Sequence, residues 1–164
     1  MNPLKSIPFL IRLIELIKSF IMNPDFSNKG KLYTAALLQL GKDASPTDRV
    51  PDDVACVESL TTILRSLWPE VPIITGTYTF WEYLKRSRLF QKIDYPEPGC
   101  IIISPTGTGN GRLRNGHTGI VGKDRIVMSN DSDSGLFMEF YTIDSWKKKY
   151  GEIGGFPVEF YRPI

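Results

Sequence analysis

The chain has 164 residues, 41% of them hydrophobic and 23% charged, with a net charge of +2. That is ordinary globular composition, long enough to bury a sizeable core, and the balance of charge gives no case for a nucleic-acid partner. One histidine and two well-separated cysteines, Cys56 and Cys100, offer neither zinc-ligand spacing nor a disulfide framework, so no metal or organic cofactor is expected.

Residues 7–22, IPFLIRLIELIKSFIM, carry Arg12, Glu15, Lys18 and Ser19 on one stripe of a predicted helix, with Pro8 in its first turn. The charges interrupt the run too often for a transmembrane span, and no unbroken apolar centre with a small-residue cleavage site marks a secretory signal. Packing against the domain or a second subunit is the plain use of this helix; a membrane-surface anchor or signal-anchor is the other.

After a break at Asn23-Pro24-Asp25, a second helix is expected over about 29–40, with Leu32, Ala35, Ala36 and Leu40 on one side and Gly41 ending it. Residues 42–53, KDASPTDRVPDD, read as a loop. A third helix follows over 54–68, capped by Asp53 or Asp52, with Val57, Leu60, Ile63, Leu64 and Leu67 at helical spacing. Cys56 falls in its first turn. The helix dipole there favours a thiolate, while Asp52, Asp53 and Glu58 oppose it, so the sign of the shift is left open.

Residues 72–79 form a connector, and 80–90, FWEYLKRSRLF, a further helix with Thr79 as cap. The turn YPEPG at 95–99 opens into a buried strand at 100–104, CIIIS. Residues 105–116 make a glycine-rich loop that lacks the Gly-Lys-Ser/Thr ending of a phosphate-binding loop and opens no helix. A mobile loop beside a cleft is the expectation, with Arg112 and Arg114 available to meet a carboxylate.

The run 116–131, GHTGIVGKDRIVMSND, reads as a β-hairpin about a Lys123-Asp124 turn. A two-residue turn sets Gly122 opposite Arg125 and His117 opposite Asn130, a pair about 5 Å apart on one face. A turn at 132–135, a strand at 136–141, a short helix at 144–150 capped by Asp144, and a last strand at 156–161 complete the chain. Helices come first and strands after, an α+β layout.

A cysteine early on a helix, with a histidine and an amide on strands far downstream, has the order of a papain-like nucleophile system. The thiolate attacks a carbonyl, the imidazole holds and returns the proton, and the third group orients the ring. Backbone amides at the helix start would receive the oxyanion. The plain alternative is a cysteine serving as a small buried hydrophobe and a histidine with a structural role.

The segments DDVACVESLTTIL, PGCIIISPTG and NGHTGIVGKDRIVMSND resemble the bacterial and phage cell-wall cysteine hydrolases of the CHAP and NlpC type. The resemblance spans roughly residues 32–161 and leaves residues 1–24 outside a domain of residues 25–164. It implies a papain-like fold, N-terminal helices packed on a small antiparallel sheet. The implied activity is hydrolysis of an amide bond in peptidoglycan, as an N-acetylmuramoyl-L-alanine amidase or a stem-peptide endopeptidase. Carried over by position, Cys56 is the nucleophile, His117 the base and Asn130 the orienting group. Asp131 is the reserve, since one register slip brings it onto the face of His117. Cys100 stands where many relatives carry an acidic residue and is the rival nucleophile. Substrate would lie along the loop over 106–115 and near Asp52, with Arg112 or Arg114 binding stem-peptide carboxylates. A phage protein carried in a virion or released through the membrane, or one anchored by its first helix, would reach the wall without a secretion signal. A non-catalytic wall-binding or virion module on the same fold is the rival reading, and a protein or lipid-linked amide the rival substrate.

Overall fold

In a computed structural model the described residues are Ile14, 25–45 and 50–164. The helix expected over 7–22 lies outside them apart from Ile14, as does the proposed segment 1–24. The described chain is α+β. Three helices come first: α1 (Asn28–Gln39), α2 (Cys56–Leu67) and α3 (Thr77–Arg86). Six strands follow: β1 (Phe90–Ile93), β2 (Ile101–Ser104), β3 (His117–Val121), β4 (Ile126–Asp131), β5 (Leu136–Thr142) and β6 (Glu159–Pro163). They pair antiparallel throughout, in the order β1-β6-β2-β3-β4-β5. A short helix α4 (Ile143–Trp146) and a π-helical turn (Lys147–Ile153) separate β5 from β6.

Strand side chains alternate between two cores. Ile101, Ile103, Ile120 and Met128 face the first three helices, meeting Leu32 and Ala36 of α1, Cys56, Leu60 and Leu64 of α2, and Phe80 and Leu84 of α3. Cys100, Ile102, Val121 and Val127 face the other way, into a second core closed by Trp146, Tyr150, Phe156 and Phe160. Cys100, the rival nucleophile, is fully buried there, and burial pushes its thiol up to about 12. The sheet is therefore covered on both faces, which explains why β2 and β3 are buried along their whole length.

Several boundaries differ from the sequence expectation. The helix expected over 54–68 begins at Cys56; Asp52–Val54 form a 3₁₀ turn before it, and neither Asp52 nor Asp53 caps it by side chain. The helix expected over 80–90 runs over Thr77–Arg86 instead. Ser87 turns extended, and Phe90–Ile93 become an edge strand because they pair with Phe160–Pro163. Thr142, not Asp144, caps α4, through a reciprocal box with Ser145.

The correction that matters most lies in the β3–β4 hairpin. Its turn is a three-residue 3₁₀ element over Lys123–Arg125, with Asp124 and Arg125 at φ of 53° and 62°. Gly122 N–H donates to the Ile126 carbonyl at 2.7 Å, and the register is Ile120↔Met128 and Val121↔Val127. Gly122 thus faces Ile126 and not Arg125. One extra turn residue slips the register by one, so the level of Asn130 belongs to Thr118 and not to His117. Gly119 permits the close approach: a Cβ there would stand 2.7 Å from the Met128 carbonyl oxygen.

Candidate functional site

The paired part of β3 and β4 ends at Ile120 and Met128. Had the ladder continued, Thr118 N–H and the Asn130 carbonyl would have bonded to each other, as Gly122 and Ile126 do at the other end. They part instead, and each lies near a candidate residue. The Thr118 main chain is near enough to the Cys56 sulfur to favour its thiolate. The Asn130 main chain lies close enough to the His117 imidazole to favour its protonated form. An opened strand pair, its freed amide near a cysteine and its freed carbonyl near a histidine, is the core of the site.

Cys56 opens α2, and the amides of Cys56 and Val57 join that of Thr118 around its sulfur. Those three N–H groups favour a thiolate, as helix-terminal amides do. Burial outweighs them. The side chain is 6% exposed, and the thiol is pushed up to about 11. In the free protein Cys56 is a protonated thiol.

His117 takes the parity of Gly119 and Val121, so its ring enters the second core. There it stacks on Trp146 at 5.2 Å between centroids and on Tyr150 at 5.5 Å, with the edge of Tyr141 at 5.9 Å. Ser104 is its register partner on β2 and accepts from Trp146 Nε1 at 3.1 Å. Burial lowers the imidazole to about 4, and the Lys149 charge pushes the same way against the Asn130 carbonyl. The ring is neutral at pH 7, and its Nε2 is buried with no hydrogen-bond partner.

Cys56 and His117 therefore belong to opposite faces of the sheet, joined through the end of β3. The Thr118 amide that serves the sulfur is one peptide from His117, and Tyr150, stacked on the ring, is close enough to feel charge at Cys56. No thiolate–imidazolium pair exists in this resting arrangement: burial keeps the thiol protonated and the imidazole neutral.

Asn130 is buried, but its side chain turns to α2. Its Nδ2 donates to the Asp52 carbonyl at 2.6 Å, which ties β4 to the turn that delivers Cys56, and its Oδ1 has no partner. It meets the imidazole through its main chain. Asp131 is occupied at the β4–β5 turn, where its carboxylate accepts from Ser134 Oγ at 2.6 Å. The Asp52 side chain is exposed and lies toward Gly135. Arg112 and Arg114 are exposed on the glycine-rich loop. That loop is pinned on two sides: Gly111 and Arg112 N–H donate to the carbonyls of Gly154 and Ile153 at 3.0 and 2.8 Å, and Gly116 N–H donates to Thr106 Oγ1 at 2.8 Å.

The sequence reading misses the aromatic wall of Tyr141, Trp146 and Tyr150, because DSWKKKY reads as a lysine-coated helix. An aromatic pair spaced i, i+4 in it, Trp146 and Tyr150, was the available signal for a buried face. Among the described residues no group of His, Cys, Asp and Glu is placed to hold a metal ion, and no helix is long and apolar enough to cross a membrane. No family model matches the chain, and no match is found among curated proteins or solved structures.

Proposed function

We propose that this protein is a cysteine hydrolase that cleaves an amide bond of peptidoglycan, with Cys56 as nucleophile and His117 as general base. The observation that carries the chemistry is the end of the β3–β4 ladder at Ile120 and Met128, which leaves the Thr118 main chain near the sulfur and the Asn130 main chain near the imidazole. In this reading substrate binding brings a carbonyl to Cys56. The thiol proton passes to the free imidazole nitrogen as the carbon–sulfur bond forms, and the imidazolium returns it to the departing amine. In this reading the Cys56 and Val57 amides, at the positive end of α2, would meet the oxyanion. Water then releases the acyl group. Peptidoglycan as substrate rests on the resemblance of three segments to the CHAP and NlpC enzymes, and the exposed Arg112 and Arg114 suit stem-peptide carboxylates.

The second reading, a non-catalytic module on the same fold, is favoured by one observation: both groups are neutral and nearly covered at rest. Digestion of purified peptidoglycan separates the two. Wild type should release fragments whose masses identify the bond, while Cys56→Ser and His117→Ala should release none. An Arg112→Gln/Arg114→Gln variant should bind and cleave more weakly. Wild-type protein that leaves the wall intact refutes the hydrolase.

A further inference from the structure

Three features around His117 are unused by that mechanism. The first is the stack: the ring lies within 28° of Trp146 and 18° of Tyr150, held on its flat side by two large rings. The second is a chain of polar contacts on the far side of that stack. Lys149 Nζ donates to Tyr141 Oη at 2.7 Å, and Tyr141 Oη lies 3.3 Å from Tyr150 Oη. The third is that the amide expected to orient the ring is engaged elsewhere, on the Asp52 carbonyl.

We propose that the Lys149–Tyr141–Tyr150 chain is the positioning unit of His117, taking the place of an orienting side-chain amide or carboxylate. The proposal rests on His117 being the base of the reaction above. Lysine has only protons to give, so Tyr141 must accept from it. That contact anchors Tyr141, which in turn anchors Tyr150, whose ring is parallel to the imidazole. The Lys149 ammonium also lies over the faces of Tyr141 and Tyr150, at 5.1 and 5.3 Å from their centroids. The unit thus does two things with one cation: it clamps the stack, and it sets a positive charge near a ring that must stay an acceptor.

The groups that face His117 are Ser104 from β2, the Asn130 main chain from β4, Tyr141 from β5, Trp146 from α4, and Lys149 and Tyr150 from the π-helical turn, with Cys56 of α2 acting on Tyr150. Among the described residues, Lys149 is the one formal charge that moves its titration. The π-helical turn explains how Lys149 and Tyr150, adjacent in sequence, both reach this place, since its wider winding offsets side chains from the α-helical stripe.

The test uses the chain's single histidine, whose imidazole resonances need no assignment. His117 is titrated by NMR in the wild type, Lys149→Met, Lys149→Arg, Tyr150→Phe and Tyr150→Leu. Lys149 is exposed, so its variants are expected to fold. Lys149→Met should raise the imidazole pKa by roughly one pH unit, while Lys149→Arg keeps the wild-type value. Tyr150→Phe should keep the ring-current displacement of the imidazole protons, and Tyr150→Leu should lose much of it. The acid limb of wall digestion should move up with Lys149→Met. An unchanged His117 pKa in Lys149→Met, or an unchanged ring-current displacement in Tyr150→Leu, overturns the proposal. Because these resonances are read without substrate, a protein that fails to cleave peptidoglycan refutes the hydrolase reading and leaves the positioning result standing.

Discussion

Replacing His117 with glutamine isolates the coupling between this imidazole and the stability of the fold. The folded ring titrates at about 4 against an ordinary 6.5, chiefly because it is buried and 6% exposed. Below pH 6.5 the unfolded chain takes up a proton that the folded chain refuses. Stability from this residue is therefore complete above pH 6.5, falls as pH drops toward 4, and is flat below that. At about 1.4 kcal/mol per pH unit, the interval corresponds to about 3 kcal/mol, a large part of a typical domain's total. Urea unfolding followed by tryptophan fluorescence, from pH 7.5 to pH 4, gives the two curves. Asp25, Glu82 and Glu159, all held below the usual carboxylate range, also lose stabilising charge on acidification. They are present in both proteins and cancel in the difference. The wild type should lose about 3 kcal/mol more than His117→Gln over this interval. Parallel curves would mean that the ring titrates as it does in water, and the buried neutral base would have to be abandoned.

Cys56, with its thiol at about 11, should alkylate with iodoacetamide on the order of 10²-fold more slowly than a free cysteine at pH 7.5, and recover ordinary rates in urea. Rapid labelling of the folded protein at neutral pH, read by mass spectrometry, would instead reveal a thiolate already formed. Asn130→Ala removes the 2.6 Å bond to the Asp52 carbonyl and should cost about 1 kcal/mol in urea unfolding. Asn130→Asp, which faces a buried carboxylate toward that same carbonyl, should cost about 3 kcal/mol. Gly119→Ala sets a methyl 2.7 Å from the Met128 carbonyl oxygen and should lower the melting temperature by several degrees; an unchanged melt would show that the strands part freely there.

Where contacts are local, the sequence spoke clearly. Apolar spacing in α1 and α2 and the β-branched runs of β2, β3 and β4 each specify an element, because an amphipathic helix or a strand needs only its own periodicity to find the core. The placement of Cys56 at a helix start was legible for the same reason. Long-range pairing was not. Phe90–Ile93 become a strand only beside Phe160–Pro163, some seventy residues on, so a helix-compatible sequence is overridden. The hairpin register turned on Asp124 and Arg125 adopting left-handed backbone with no glycine to announce it. That single residue of slip put Thr118, not His117, level with Asn130, so the imidazole and the amide leave the sheet on opposite faces. The charge states were likewise a tertiary decision. Three amides around Cys56 argue for a thiolate, and the depth of burial reverses them, a balance of desolvation against dipoles that exists only once both faces of the sheet are covered.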